Sequence, residues 1–134
     1  MKESSPLTSP PDSQRLFALR GATSVAGNTE RDILDGTREL VEAIMDRNAL
    51  APDQMVSCVF SATTDLNAQF PAVAARDLGL SRVPLLCTQE IDVPGALPRV
   101  IRVLLHYYAP AGHDPQHVYL RDARSLRADL EAAQ

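Results

Sequence analysis

The stretch VIRVLLHYY at residues 100–108 constrains the fold of this chain more than any other segment. Its apolar content is compatible with a helix or a strand, but β-branched and aromatic residues are enriched in strands, so we predict a strand. Side chains alternate between the two faces of a strand. One face then carries Arg102, Leu104 and His106, and the other carries Val103, Leu105 and Tyr107.

Arg102 is the most informative residue of this predicted strand. It lies between Ile101 and Val103, where burial is expected, and a buried guanidinium needs acceptors for its hydrogen-bond donors. One interpretation is a structural ion pair with Glu90 or Asp92, which precede the strand. The other is a clamp on an anionic ligand. The residues alone leave both interpretations open.

The rest of the chain alternates short apolar runs with two amphipathic segments. Further strands are predicted at 16–19, 55–60, 83–87 and 117–120, and helices at about 28–48 and 71–78. Asn28 or Thr29 can cap the first helix, and Gly79 stops the second. The order β-α-β-α-β-β-β predicts an α+β fold, a small mixed sheet covered by two helices. Residues 1–14, with three prolines and four serines, are predicted to be a disordered tail.

Composition argues against several classes of protein. The net charge of −4 argues against a general nucleic-acid binder, whose surface is usually basic. No apolar stretch approaches the ~20 residues of a membrane-spanning helix, and the first residues lack the apolar run of a secretory signal. The two cysteines, Cys58 and Cys87, are expected to be free thiols in a reducing cytoplasm rather than a disulfide scaffold.

Taken singly, the polar candidates have ordinary structural interpretations. Glu90 is typical of a surface carboxylate, and Cys87 of a small core residue. His117 is the only candidate base for a cysteine nucleophile, and nothing in the sequence pairs the two. The three histidines lack the spacing of a zinc site, so no metal site is predicted. Arg20 and Gly21 are interpreted as the exit of a strand into a loop, since one glycine does not make a phosphate loop.

Four segments in combination carry a family resemblance: LRGATSV at 19–25, SATTDLNAQFPAVAARDLG at 61–79, VPLLCTQEIDVPGALPRVIRV at 83–103 and HVYL at 117–120. They resemble the monofunctional bacterial chorismate mutases of the trimeric mixed α/β class. The resemblance covers a domain at about 15–130 and leaves 131–134 as a C-terminal tail. It implies a homotrimer whose sheets form a barrel-like core, with the two helices on one side of each sheet and an active site in each of three interfaces.

The reaction implied by the resemblance converts the substrate chorismate to the product prephenate, on the route to phenylalanine and tyrosine. An ether C–O bond breaks while a C–C bond forms within one molecule. The resemblance therefore implies an isomerase that needs no cofactor, nucleophile or proton transfer. Its site has to hold a folded dianion and stabilise the charge that develops. No nucleic-acid or membrane partner is expected.

The resemblance also implies roles for single residues. Arg102 matches the arginine that donates to the ether oxygen, and Arg20 matches the arginine that pairs with a substrate carboxylate. Tyr119 matches a hydroxyl that also serves a carboxylate. Glu90 matches the acceptor for the ring hydroxyl, with Cys87 beside it.

Other matched positions surround the substrate. Phe70, Ala72 and Arg76 match a wall supplied by the neighbouring subunit. Leu126 matches an apolar contact from a C-terminal segment, which in this family can be mobile and close over the site. Val73 departs from the pattern, because some relatives carry a lysine there, near the site entrance.

A competing function is a trimeric protein of similar architecture that binds a small anion without mutase activity. The full set of Arg20, Glu90, Arg102 and Tyr119 favours the mutase, since an anion-binding relative does not need all four. His117 is interpreted as structural.

Overall fold

The computed structural model describes residues 13–127, which form one five-stranded sheet with helices. The strands are β1 (Gln14–Ser24), β2 (Met55–Ala62), β3 (Leu85–Gln89), β4 (Val100–Pro110) and β5 (Val118–Tyr119). Their order across the sheet is β3-β2-β4-β1-β5. The central strand β4 is antiparallel to β1 and β2, whereas the pairs β1/β5 and β2/β3 are parallel. The predicted mixed sheet is confirmed, including the strand that begins at Val100.

Two α-helices follow the first two strands, as predicted. They are α1 (Glu30–Asn48) and α2 (Ala72–Asp77). Of the two candidate caps for α1, Thr29 is the one used, because its side-chain oxygen accepts a hydrogen bond of 3.0 Å from the N–H of Asp32. Ala49, in the left-handed conformation with φ of 51°, ends α1.

The hydrophobic core lies between the two helices and one face of the sheet. From the sheet it contains Leu19, Phe60 and Val103, which are almost fully buried. The helices contribute Ile33, Leu40 and Ile44 from α1 and Ala72 and Ala75 from α2. Both helices therefore pack on the same side, as the resemblance implied.

The close approach of α1 to the sheet depends on Gly36, which is buried at the interface. A methyl group at this position would lie 2.5 Å from Cγ1 of Val25. Any larger residue would therefore displace either the side chain of Val25 or the helix.

The opposite face of the sheet, here called the open face, is not covered by either helix. Large apolar side chains on it are exposed: Leu16 (51%), Leu86 (60%), Leu104 (39%) and Tyr108 (47%). Contiguous exposed apolar area of this kind marks an interaction surface or a ligand groove.

Several boundaries differ from prediction; β5, for example, covers only Val118–Tyr119 instead of 117–120. β1 continues to Ser24, so Arg20 and Gly21 lie inside a strand and not in its exit. The reason is packing, since Gly21 is buried against Ile44 and Val103 and pairs with both β4 and β5. β3 begins at Leu85 instead of 83, because the residues before it form a one-turn 3₁₀ helix, Leu80–Arg82.

The predicted tails lie almost wholly outside the described residues. Of segment 1–14 only Ser13 and Gln14 are described, and β1 already begins at Gln14. Segment 131–134 lies outside altogether. Within residues 13–127, no helix is long and apolar enough to cross a membrane.

Candidate active site

Four of the predicted site residues meet in one cleft on the open face of the sheet. Arg20, Glu90, Arg102 and Tyr119 line a cleft of about 280 Å³, here called the arginine cleft. They come from four separate parts of the chain: β1, the segment after β3, β4 and β5. The remaining lining includes Val59, Ser61 and Leu104. The cleft therefore combines a small apolar floor with two guanidinium groups, one carboxylate and one phenol.

Strand register explains why three of these side chains converge. Ala22 of β1 lies directly opposite Arg102 of β4 on one side and opposite Tyr119 of β5 on the other. Residues that face each other across strands point to the same side of the sheet. Arg20, two residues before Ala22, lies on that side as well. The small side chain of Ala22 separates Arg102 from Tyr119.

Glu90 forms an ion pair with Arg102. Its Oε1 lies 3.1 Å from Nε of Arg102, and the two side chains are 25% and 39% exposed respectively. The N–H of Nε does not point at this oxygen, and among the described residues it has no hydrogen-bond partner. The backbone N–H of Glu90 donates to the carbonyl of Ala62 at 2.9 Å, which fixes the start of the segment after β3. Of the two ion-pair partners considered for Arg102, Glu90 and Asp92, the structure shows Glu90.

Arg20 is held through its backbone as well as by the sheet. Its N–H donates to Nδ1 of His117 at 3.0 Å. Burial lowers the pKa of His117, and the charges of Arg20 and Arg127 lower it further, against an opposing effect of Asp114. The ring is therefore neutral at neutral pH, and a bare Nδ1 is what this hydrogen bond requires.

Tyr119 is 9% exposed and belongs to a small apolar cluster with Ala22, Val100 and Ala123. Leu126 packs against this cluster from the C-terminal side. It therefore lies next to Tyr119 without lining the arginine cleft itself.

The other predicted contacts lie in a second cleft. Phe70, Ala72, Arg76 and Cys87 line a cleft of about 490 Å³ beside α2 and β3, here called the Phe70 cleft. Phe70 is 66% exposed. Cys87 faces away from the arginine cleft, because it lies opposite Phe60, whose side chain points into the core beneath the helices. Within a single chain, these four residues and the arginine cleft are separate.

Comparisons with known proteins agree on one family. The family model of chorismate mutase type I matches residues 16–130. The chorismate mutase AroH of Thermus thermophilus is 45% identical over 118 residues, which cover 87% of this chain and 97% of that protein. The AroH of Bacillus subtilis (strain 168) is 44% identical over 114 residues, covering 84% of this chain and 90% of that protein.

The chain belongs to the type I chorismate mutase family. A solved chorismate mutase from Clostridium thermocellum has the same fold, with a TM-score of 0.77 and 41% identity, covering 81% of this chain and 98% of that one. The family and the isomerase activity that the resemblance implied are thereby confirmed.

Some residues that line the arginine cleft were not identified from the sequence. Ser61 and Val59 of β2 line it, because Ser61 lies opposite Arg102 and Val59 lies opposite Leu104. Only the pairing of β2 with β4 shows this, since the two strands are distant in sequence. No group of three or more His, Cys, Asp or Glu side chains within residues 13–127 is arranged to hold a metal ion.

Proposed function

We propose that this chorismate mutase rearranges chorismate to prephenate in the arginine cleft. The observation that carries the proposal is the convergence of Arg20, Glu90, Arg102 and Tyr119 from four segments in a chain of this family. Chorismate is a dianion, and two guanidinium groups against one carboxylate leave the cleft locally cationic. Such a site attracts the substrate and holds it folded, which is most of what a unimolecular rearrangement requires.

Arg102 acts on the bond that breaks. As the ether C–O bond stretches, negative charge grows on the oxygen, and a guanidinium donor beside it gains interaction energy in the transition state. An interaction that strengthens on the way to the transition state raises kcat and does not merely tighten binding. Glu90 accepts from the ring hydroxyl and, through its contact with Nε at 3.1 Å, restrains the arginine.

Arg20 and Tyr119 bind the substrate's carboxylates. A guanidinium offers a planar pair of donors that fits a carboxylate, and a phenol adds one more donor. Their strands β1 and β5 are paired directly, at Gly21 with Val118 and at Ala22 with Tyr119. The two groups can therefore act on one side of a ligand without rearrangement of the sheet. Leu126 packs on the cluster around Tyr119 and so supports this phenol from outside the cleft.

The active form is a homotrimer in which each site spans two subunits. The open face carries exposed apolar residues, such as Leu104 and Tyr108, whose burial against neighbouring copies would stabilise an assembly. The Phe70 cleft, with Ala72, Arg76 and Cys87, then forms the second wall of the neighbour's arginine cleft. Three identical chains related by a three-fold axis repeat one heterologous contact in a closed ring.

We also propose a cytoplasmic location. Cys58 and Cys87 are both free thiols, which is the state that a reducing compartment maintains.

The test is a direct assay with purified protein after exhaustive dialysis against a chelator. We expect chorismate absorbance to fall and prephenate to accumulate. Light scattering should give the protein a molar mass of three chains. Activity that is lost on dialysis and restored by a metal ion would overturn the cofactor-free mechanism. Binding of chorismate without turnover would instead favour the anion-binding alternative.

A further inference from the structure

The side chain of His117 connects the backbone of Arg20 to the strand that carries Tyr119. The parallel pairing of β5 with β1 covers only Gly21 with Val118 and Ala22 with Tyr119. At Arg20 the pairing has ended, and the imidazole of His117 continues it by accepting from the Arg20 N–H at 3.0 Å. A ring nitrogen thus takes the place of a strand carbonyl.

The position of this ring is fixed from the helix side. Asn48, the last residue of α1, is buried and bonds both polar groups of the backbone at Gln116. Its Nδ2 donates to the Gln116 carbonyl at 3.0 Å, and its Oδ1 accepts from the Gln116 N–H at 2.7 Å. The residue before His117 is therefore anchored, so the ring approaches β1 from a defined point.

We propose that His117 is a positioning residue for substrate binding: its neutral imidazole fixes the backbone of Arg20 relative to Tyr119, so that both groups meet the substrate's carboxylates together. This inference rests on the proposed function of the arginine cleft. It assigns His117 a role that its interpretation as a structural residue did not include.

Protonation of the ring would break the arrangement. Protonated Nδ1 carries a hydrogen and faces the Arg20 N–H as a second donor, so the bond is lost. The charged groups around the ring are Arg20 and Arg127, which disfavour the protonated form, and Asp114, which favours it. Burial, which is the largest effect, and the two arginines outweigh Asp114 and lower the pKa of His117 below its ordinary 6.5. The role of His117 is therefore fully present at pH 6.5 and above, and it is lost as the pH falls through the lowered pKa of the ring.

The expected signature is in KM. A bond between Arg20 and a substrate carboxylate exists in both the ground state and the transition state, so weakening it raises KM and leaves kcat nearly unchanged. This separates His117 from Arg102, whose loss is expected to lower kcat.

The experiment compares His117→Asn with His117→Gln. Asparagine places its amide oxygen where Nδ1 lies, whereas the extra methylene of glutamine carries the amide past that position. At pH 8 we expect the Asn variant to keep KM within about twofold of the unsubstituted protein, and the Gln variant to raise it roughly tenfold, the effect of one misplaced hydrogen bond. Below pH 6.5, KM should rise for the unsubstituted protein and stay flat for the Asn variant, because an amide does not titrate.

The outcomes separate this inference from the function on which it rests. An active protein whose Gln variant keeps a normal KM, or whose Asn variant shows the same acid rise, would overturn the positioning role and leave the mutase intact. If the unsubstituted protein does not convert chorismate, hydrogen exchange at the Arg20 amide still tests the bond. If the Gln variant still protects the Arg20 amide from exchange, the positioning role is overturned. If this protection is lost in the Gln variant but kept in the Asn variant, the positioning role is supported. Should the Gln variant fail to fold by circular dichroism, the pH comparison with Asn decides.

Discussion

Oε1 of Glu90 lies 3.1 Å from Nε of Arg102, and both side chains line the arginine cleft. The contact reconciles the two interpretations of Arg102. The arginine has a structural ion pair, and it also remains 39% exposed in a cleft that holds a second arginine. An exposed pair of this kind contributes little to stability, on the order of 0–1 kcal/mol. In the proposed mechanism, its value lies in restraining a guanidinium at the place where charge develops.

Replacing Arg102 with lysine should separate charge from geometry. Lysine keeps the positive charge but lacks the planar fork, so it cannot reach Glu90 and a ligand oxygen together. We expect a folded protein whose kcat falls by more than about tenfold, a loss of over ~1.4 kcal/mol of transition-state stabilisation. Arg47→Lys, at the exposed end of α1, is the matched control and should leave both constants unchanged. Near-normal kcat with a raised KM would reduce Arg102 to a binding residue.

The two cysteines should differ sharply in reactivity. Cys58 is 2% exposed, and burial, with a smaller effect of Cys87, raises the pKa of its thiol to about 12. Its thiolate, the reactive form, is therefore scarce at pH 8. Cys87 is half-buried and lines the Phe70 cleft. We expect iodoacetamide to label one thiol per native chain and both in denaturant, measured by mass spectrometry.

Two further measurements test the assignment of that thiol. Cys87→Ser should abolish native labelling, and saturating prephenate should slow it in the unsubstituted protein. Labelling that prephenate does not slow would remove Cys87 from the substrate's surroundings.

The buried thiol also predicts a loss of stability at high pH. The pKa of Cys58 is about 12 in the folded protein against an ordinary 9.0, so the unfolded chain releases this proton first. The contribution to the free energy of unfolding is fully present below pH 9 and is lost as the pH rises from 9 towards 12. Cys58→Ala should be less stable at pH 7 by about 1 kcal/mol, and the difference should shrink at pH 10.5. Urea denaturation at both pH values checks this, and a constant difference would contradict it.

Much of the fold could be predicted because each local signal agreed with the packing. The alternation in β4 set its two faces, and the cap at Thr29 set the start of α1. The end of β1 predicted at Arg20 and Gly21 was wrong, because a glycine usually signals the end of a strand. Here the missing side chain of Gly21 makes room for the side chain of Ile44. That information lies in a helix more than twenty residues away along the chain.

The site could be predicted only in part for the same reason. Arg20 and Tyr119 were named by family resemblance, since neither carries a distinctive local pattern, whereas Arg102 was singled out by its apolar neighbours. The contribution of Ser61 depends on strand pairing across about forty residues. The bond from Arg20 to His117 depends on where β5 ends, and no periodicity in the sequence reveals the end of a two-residue strand.

The final prediction concerns the separation of the arginine cleft from the Phe70 cleft. If each site spans two subunits, then Arg102→Ala disables one side of an interface and Phe70→Asp disables the other. The aspartate would place a carboxylate against a dianionic substrate, which is repulsive at close range. Each variant alone should form inactive trimers, and the unsubstituted protein, unfolded and refolded alone, should recover its activity.

Equal amounts of the two variants, unfolded together and refolded, should then regain activity. An intact site needs the arginine cleft of a Phe70→Asp chain beside the Phe70 cleft of an Arg102→Ala chain. With random assembly in a closed ring, this arrangement occurs at roughly one interface in four, so about a quarter of the normal activity should return from two inactive parents. If both residues served one chain's pocket, every pocket in the mixture would carry one of the two substitutions. A trimeric mixture that stays as inactive as its parents would therefore contradict the shared site.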